Sequence, residues 1–216
     1  MIELLKKLGI ELKNDVLIKQ ALTHTSFANE NNVESYERLE FLGDAVLESI
    51  ISDYLFTNTA LREGEMTKTR AAYVCEQALA FYAKKIGIVP FILVGKGQIN
   101  NVNDTIIADV FESIIACIYL ELGYETAKRY VLKTVIPYVK EHIHFFDDYK
   151  SILQELVQTN KKTLNYEVIN ESGPAHEKKY DVVVKVDGLI FGKGSGKSKK
   201  DAEQNAAKDA INKQAS

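Results

Sequence analysis

The chain has 216 residues, of which 46% are hydrophobic and 26% are charged. This mixture excludes collagen-like, low-complexity and wholly disordered proteins, and the length suits one large domain or two small ones. With 27 basic and 30 acidic residues the formal net charge is −3, which taken alone disfavours binding to nucleic acid.

The same composition bears on where the protein acts. No apolar run is long enough to cross a membrane, and the charged stretch 1–15 lacks the apolar segment of a signal peptide. Two cysteines, Cys75 and Cys117, are too few for a disulfide framework. These features predict a cytoplasmic protein with no membrane partner.

Charge is unevenly distributed along the chain. Residues 1–147 carry 15 basic and 20 acidic side chains, whereas residues 148–216 carry 12 and 10. An acidic piece is therefore joined to a mildly basic one. The second piece contains a short lysine-rich stretch, which consists of Lys193, Lys197, Lys199, Lys200 and Lys208. Because charge acts where it lies, this piece remains a candidate for phosphate contacts.

The first piece is predicted to be all-α. Apolar residues recur at helical spacing up to about residue 142, and Pro90 together with the polar stretch 95–101 predicts loops. The predicted helices cover 35–57, 67–86, 104–121 and 124–139.

The second piece is predicted to have the order α-β-β-β-α. Its central segments alternate or are rich in β-branched residues, and Asp187-Gly188 is typical of a hairpin turn. Ser198 suits the N-cap of the last helix. The predicted elements are a helix at 149–160, strands at 165–170, 178–188 and 189–194, and a helix at 198–213. The stretch GSGKS (194–198) is not a phosphate-binding loop, because position 191 is Phe where that loop requires Gly.

Carboxylates are concentrated on two of the predicted helices. Glu37, Glu40 and Asp44 fall on one helical face among apolar residues that predict a largely buried helix. Asp109 and Glu112 form a second pair inside an apolar helix. Like charges at this spacing repel, and burying them without compensation is costly. A positive group is therefore expected beside them.

Two readings of these carboxylates remain open. An all-oxygen cluster assembled from the two helices suits Mg²⁺ or Mn²⁺ and lacks the Cys and His ligands expected of zinc. Alternatively, the acids pair with Arg38, Arg70 or Lys68, or face water. The presence of such groups on both helices favours the metal site.

The segments that contain these two acidic helices resemble the ribonuclease III family. The stretch YERLEFLGDAVL is similar to the family signature. The basic piece is similar to a double-stranded RNA-binding domain. These segments and the blocks that flank the signature occur in the same order as in the family. The segments that carry the resemblance are 21–30, 36–47, 62–74 and 108–123 in the first piece, and 149–158, 173–180 and 194–211 in the second. The resemblance covers nearly the whole chain.

The resemblance implies a multidomain protein, with an all-α ribonuclease III endonuclease domain followed by an α+β (α-β-β-β-α) double-stranded RNA-binding domain. It places the catalytic domain at 1–126, with its last helix extending to about 142. A short linker follows at 143–147, and the RNA-binding domain covers 148–216.

The resemblance also implies an active site. Glu40, Asp44, Asp109 and Glu112 match the family's metal-binding positions, with Asp44 and Glu112 as the catalytic pair. Glu37 and Glu63 match supporting acidic positions, with Glu65 as a nearby alternative to Glu63. The implied cofactor is Mg²⁺, for which Mn²⁺ substitutes. The implied reaction is hydrolysis of double-stranded RNA to 5′-phosphate and 3′-hydroxyl ends with a two-nucleotide 3′ overhang.

The implied partners are double-stranded RNA and a second copy of the chain. Phe41 matches an aromatic that packs into the partner subunit of the family's homodimer, and core packing within one chain is the alternative that the sequence leaves open. The implied RNA-binding residues are Gln154, Gln158, Pro174, Ala175, His176, Lys197, Lys199 and Lys200. The implied substrates are ribosomal RNA precursors and structured messenger RNAs.

Three positions depart from the family's common pattern, namely Tyr36, Thr25 and the pair 116–117. We expect any effect of Tyr36 and Thr25 to fall on local RNA contacts, and any effect of the pair on helix packing. Two other functions fit parts of the sequence: a non-catalytic binder of duplex RNA, and a metal-dependent hydrolase of another phosphorylated substrate. The intact carboxylates argue against the first, and the C-terminal match argues against the second.

Overall fold

A computed structural model describes residues 2–12, 15–99, 101–141, 143, 145, 149–159, 162–174 and 178–214. The chain divides into two compact units, Met1–Phe146 and Asp147–Ser216. The first unit is helical, and the second contains a three-stranded antiparallel sheet with helices before and after it in sequence.

The helices of the first unit follow the apolar periodicity of the sequence. They are α1 (Ile2–Leu8), α2 (Val16–Ala21), α3 (Thr25–Asn31), α4 (Glu37–Asn58), α5 (Glu63–Tyr73), α6 (Glu76–Ile86), α7 (Asp104–Leu122) and α8 (Tyr124–Lys140). Short 3₁₀ turns at Val89–Phe91 and Lys96–Gln98 lie in the stretches predicted as loops.

One predicted helix is wrong in its extent. The segment 67–86 forms the end of α5 and the whole of α6, with a break at Val74 and Cys75. Cys75 has an extended backbone (φ −75°, ψ 159°) and begins α6. The break turns the chain so that α6 can bury Leu79 and Tyr82 in the core, and continuous apolar spacing gave no sign of it.

Helix α7 forms the centre of the first unit. It contacts α2, α4, α6 and α8, and nearly every side chain from Ile106 to Ile118 is buried, the exceptions being Asp109 and Glu112. A helix that is apolar on all sides is expected in the middle of a core. The two acids are therefore exceptions within the most buried helix of the unit. In the described parts of the chain, no helix is long and apolar enough to cross a membrane.

The second unit has the predicted element order. It comprises α9 (Tyr149–Thr159), β1 (Leu164–Ser172), β2 (Lys179–Val186), β3 (Leu189–Gly196) and α10 (Lys199–Gln214), with the strands paired in the order β1-β2-β3. Asp187 and Gly188 both have positive φ angles, 48° and 80°, which confirms the hairpin turn.

Helix α10 lies directly on strand β3. Gly192, Gly194 and Gly196 alternate along the strand, and a Cβ on any of them would lie within 2.5 Å of the α10 backbone at Ala202 or Ala206. The glycines of the GSGKS stretch therefore serve helix packing. The hydroxyl of Ser198 accepts the Asp201 amide at 3.1 Å and caps α10 as predicted.

Candidate active site and RNA-binding surface

The candidate active site is built at the crossing of α4 and α7. Gly43 of α4 lies so close to α7 that a Cβ added to it would be 1.9 Å from the carbonyl oxygen of Glu112. Glycine is required there because any side chain would overlap this backbone. Since Glu40 and Asp44 flank Gly43, the close approach brings both predicted carboxylate-bearing helices to one point.

The carboxylates at this crossing affect one another electrostatically. Burial, followed by the charges of Asp44 and Glu40, raises the pKa of Glu112 to about 8. Burial, followed by the charge of Asp109, also raises the pKa of Glu40. Desolvation and like charge both disfavour ionisation, so the four predicted acids form a single cluster that a cation would stabilise.

The depth of the cluster differs from the sequence prediction. Glu40, Asp109 and Glu112 are half-buried, whereas Asp44 and Glu37 are exposed. The acidic face of α4 is therefore open to solvent on one side, and the expectation of a largely buried helix is wrong for that face. An opening of this kind leaves the carboxylates accessible to a large substrate.

Asp109 is held by a residue that sequence reasoning did not place in the site. The Tyr36 hydroxyl donates a hydrogen bond of 2.9 Å to Oδ2 of Asp109. Burial raises the pKa of Asp109, and the bond from Tyr36 works in the opposite direction. One sign of this role was present in the sequence, since Tyr36 directly precedes the acidic helix and departs from the pattern of the family that the sequence resembles.

The alternative reading, in which basic side chains neutralise the acids, finds no support in the described residues. None of the ion pairs there involves Glu40, Asp44, Asp109 or Glu112. Arg70 instead donates to the Ser52 hydroxyl at 2.9 Å. The ion pairs between described residues therefore leave these four acids unneutralised, and burial followed by like charge raises the pKa values of Glu40 and Glu112.

The donor set suits a hard divalent cation, because it consists of carboxylate oxygens. In the side-chain positions observed, no three His, Cys, Asp or Glu residues within the described ranges converge closely enough to hold a metal ion. The crossing at Gly43 brings the helices that carry the four acids into contact, and the carboxylates act on one another's pKa values.

The supporting acids lie in different places. Glu37 accepts a hydrogen bond from the Ser35 hydroxyl at 3.1 Å, and its charge contributes to the raised pKa of Glu40. Glu63 begins α5, where it accepts the Thr67 hydroxyl at 3.2 Å. The structure brings Glu37 to the cluster but shows no such link for Glu63.

Two further acids are clarified by the structure. Glu65 accepts a hydrogen bond from the Arg62 amide at 2.8 Å and so caps α5. This capping role explains why an acid stands at position 65. Glu48 was missed by sequence reasoning, although its charge contributes to the raised pKa of Glu112. Its spacing of one helical turn after Asp44 is the signal that could have found it.

Phe41 does not pack into the core of its own chain. Its side chain is 82% exposed, and Phe56 further along α4 is 75% exposed. Their separation of fifteen positions places both on the same side of the helix. Exposed aromatic rings on one helix face are typical of an interaction surface.

The predicted RNA-binding residues of the second unit are accessible where the structure describes them. Gln154 is half-buried and Gln158 exposed on α9, and Pro174 is exposed after β1; Ala175 and His176 lie outside the described residues. The lysines at the start of α10 form an exposed group, namely Lys197, Lys199 and Lys200. The Lys199 ammonium lies 5.7 Å from the centre of the Tyr180 ring.

Comparisons with known proteins agree with this architecture. Residues 14–139 match the family model described as ribonuclease-III-like, and residues 149–214 match that of the double-stranded RNA binding motif. The chain is 45% identical over 214 residues to ribonuclease 3 of Aster yellows witches'-broom phytoplasma, covering 97% of this chain and 90% of that protein. It is 44% identical over 220 residues to ribonuclease 3 of Listeria monocytogenes serovar 1/2a, covering 98% and 96%.

A solved structure adds to the sequence matches. The nuclease domain of ribonuclease III from Campylobacter jejuni, described with structural flexibility in a region involved in dimer formation, aligns with a TM-score of 0.56 and 38% identity. The alignment covers 61% of this chain and 96% of that domain. The fold class predicted from sequence is thereby confirmed: the chain is an enzyme of the ribonuclease III family, with a helical nuclease domain followed by a double-stranded RNA-binding domain.

Proposed function

We propose that this protein is a Mg²⁺-dependent endoribonuclease that hydrolyses double-stranded RNA to 5′-phosphate and 3′-hydroxyl ends, with a two-nucleotide 3′ overhang. The observation that carries the proposal is the cluster of four carboxylates where Gly43 contacts the Glu112 backbone. Their mutual repulsion and partial burial cost stability, which a structural role would not require.

Within this proposal all four acids bind cations and two of them are also catalytic. Glu40, Asp44, Asp109 and Glu112 hold divalent cations, with Mn²⁺ able to replace Mg²⁺, and Asp44 and Glu112 form the catalytic pair. Bound cations activate the attacking water and stabilise the leaving oxygen in phosphodiester hydrolysis. Asp44 is exposed and Glu112 is half-buried, so Asp44 is the more accessible member of the pair to an approaching RNA.

The proposed activity is tested by incubating the protein with a long RNA duplex, with and without Mg²⁺, and resolving the products on a denaturing gel. We expect cutting only with Mg²⁺, and none of a single-stranded RNA of the same sequence. Ligation of the products tests for 5′-phosphate ends. Absence of Mg²⁺-dependent cutting of the duplex contradicts the proposal.

We propose that the active form is a homodimer that buries Phe41 and carries two active sites, each cutting one RNA strand. In a two-fold interface each substitution acts twice. Losing the burial of one Phe on each side costs about 1.5–3 kcal/mol per copy. We therefore expect Phe41→Ala to weaken dimerisation about 100-fold or more, measured by sedimentation equilibrium.

The control for this experiment is Val33→Ala, which also shortens an exposed apolar side chain (52% exposed) but lies outside α4. It is expected to leave the dimer intact. Unchanged dimerisation of Phe41→Ala would remove this ring from the interface.

We propose that the second unit binds duplex RNA by recognising the shape of the duplex. Gln154 and Gln158 face one minor groove, and Pro174, Ala175 and His176 face the next one. The lysines at the start of α10 contact the phosphates between the two grooves. Duplex RNA is recognised in this way through 2′-hydroxyls and phosphates, and the N-terminal end of a helix favours anions.

The double substitution Lys199→Ala with Lys200→Ala tests the phosphate contacts. Each lost phosphate contact lowers the slope of log affinity against log salt by about 0.7–0.9, so we expect a flatter slope by up to about twice that and weaker duplex binding. Binding is measured by fluorescence anisotropy at several salt concentrations. An unchanged slope would place both lysines outside the interface.

A matched control removes two lysines that are paired with acids, Lys185 with Glu167 and Lys213 with Asp209. It changes the net charge of the unit equally. We expect it to leave the salt slope nearly unchanged, because neither lysine belongs to the proposed interface.

We propose that the enzyme acts in the cytoplasm on ribosomal RNA precursors and structured messenger RNAs. This part rests on the resemblance to the family. It is supported by the high identity over nearly the whole chain to bacterial proteins named ribonuclease 3.

A further inference from the structure

We propose that Tyr36 is a positioning residue, which fixes one carboxylate oxygen of Asp109 and thereby leaves the other available for a divalent cation. The proposal deepens the proposed function and rests on it, because it takes the carboxylate cluster as the cation site. It also replaces the expectation that Tyr36 affects local RNA contacts. The side chain is only 3% exposed, so it does not lie on a surface that RNA can reach.

The contact itself is specific. The Tyr36 hydroxyl donates to Oδ2 of Asp109 at 2.9 Å across 73 positions of sequence. Among the described residues, Oδ1 of Asp109 accepts no hydrogen bond. One oxygen is therefore committed to the protein and the other is not, which is the arrangement that a monodentate metal ligand needs.

Tyr36 is itself held from several sides. Its amide donates to the Thr23 carbonyl at 2.9 Å, and its ring lies 5.8 Å from the His24 ring between centroids. The buried hydroxyl of Ser113 donates to the Asp109 carbonyl at 2.8 Å and lies 3.4 Å from the Tyr36 carbonyl. The hydroxyl of Tyr36 thus has little freedom to follow a rotating carboxylate.

The chemical nature of the partner matters as much as its position. A neutral hydroxyl orients Asp109 without cancelling its charge, whereas a lysine or arginine would compete with a cation. Hydrogen-bond partners that orient metal ligands change metal affinity by about 10–100-fold when they are removed. Tyr36 is the described side chain that donates to the Asp109 carboxylate.

The variant Tyr36→Phe removes one oxygen atom and keeps the ring. We expect it to bind Mn²⁺ about tenfold more weakly than the wild type in calorimetric titrations without RNA. Tyr82→Phe is the matched control, because Tyr82 is also buried and its hydroxyl donates to the Tyr73 backbone carbonyl at 3.2 Å. It loses a hydroxyl of the same kind away from the cluster and should bind Mn²⁺ as the wild type does.

Unchanged Mn²⁺ affinity of Tyr36→Phe would overturn the proposal. An equal loss in an Asp109→Ala background, measured as the Mn²⁺-dependent rise in the unfolding midpoint, would also overturn it, because a residue acting through the Asp109 carboxylate has nothing to orient there. If circular dichroism shows that Tyr36→Phe is unfolded, Tyr36→Leu serves instead, since leucine is apolar and has no side-chain donor for Asp109, and the same loss is expected. A wild type that binds Mn²⁺ but cuts no duplex RNA contradicts the proposed function and leaves this comparison intact.

Discussion

Replacing Glu112 with Gln is expected to lower duplex cleavage at least about a thousandfold, as the loss of a principal transition-state contact does. The substitution keeps the size of the side chain and removes the negative charge that Asp44 and Glu40 act upon. Asp44→Asn is expected to have the same effect. Single-turnover cleavage at saturating Mg²⁺ measures the loss.

The same variants should bind duplex RNA nearly as well as the wild type does, because the proposed RNA-binding residues lie in the second unit. Glu121→Gln is the matched control, since Glu121 is another half-buried glutamate of α7 that does not act on the cluster's pKa values. It should retain both cleavage and binding. If Glu112→Gln lost binding to the same extent as cleavage, the assignment of Glu112 to the chemical step would be contradicted.

Glu112→Gln should also change stability, in the opposite direction to activity. The fold raises the pKa of Glu112 from 4.5 to about 8, so the metal-free folded protein binds a proton that the unfolded chain releases. Stability therefore falls as pH rises from 4.5 to 8, and the full penalty is present above the higher value. With screening at this half-buried site, we expect Glu112→Gln to stabilise the metal-free protein by about 2 kcal/mol at pH 8.5 and little at pH 4.

Denaturant unfolding in a chelating buffer across this pH range measures the effect. Adding Mg²⁺ should then stabilise the wild type more than the variant, because the cation offsets the charge that the variant lacks. A metal-free wild type whose stability rises from pH 5 to pH 8 relative to the variant would contradict the burial of Glu112 among like charges.

Gly43→Ala is expected to be the most damaging small substitution in the first unit. Its methyl group would lie 1.9 Å from the Glu112 carbonyl oxygen, so α4 and α7 must separate. Overpacking of this kind costs about 3 kcal/mol. Because the proposed catalytic pair lies on the two helices that separate, we also expect cleavage to fall about 100-fold in the fraction that folds.

Gly64→Ala makes the same chemical change in helix α5, where a Cβ would meet nothing within 4 Å. It should stabilise the protein by about 0.5 kcal/mol, because alanine restricts the unfolded chain. Thermal unfolding of the two variants gives the comparison. A Gly43→Ala protein as stable and as active as the wild type would show that the two helices do not meet at this glycine.

Much of the fold was predictable because it depends on local patterns. Apolar spacing placed α4, α7 and α8 within two residues of their observed ends, and the Asp187-Gly188 turn and the Ser198 cap follow from the backbone preferences of those residues. The break between α5 and α6 was not predictable in this way. Apolar residues on both sides of Cys75 serve the same core, so their spacing continues across the turn.

The exposure of Phe41 was likewise not predictable from the sequence. A phenylalanine among leucines in an amphipathic helix is compatible with the core of its own chain or with an interface. Only the position of α4 against α7 decides which side of the helix is covered, and it leaves Phe41 in solvent. Burial, followed by charges that include those on a helix from another part of the chain, likewise raises the pKa values of the half-buried Glu40 and Glu112.

The family and the order of the two domains were predictable from the sequence alone, as was the candidate set of four carboxylates, because motif spacing and charge placed among apolar residues are properties of a linear chain. The sequence also resolved a net charge of −3 into an acidic nuclease domain and a basic RNA-binding domain. The side chains that surround those carboxylates were not predictable from the sequence, because they depend on how the helices pack. The contact between Gly43 and Glu112 and the bond from Tyr36 to Asp109 join residues far apart in sequence, and such pairings arise only when the helices pack.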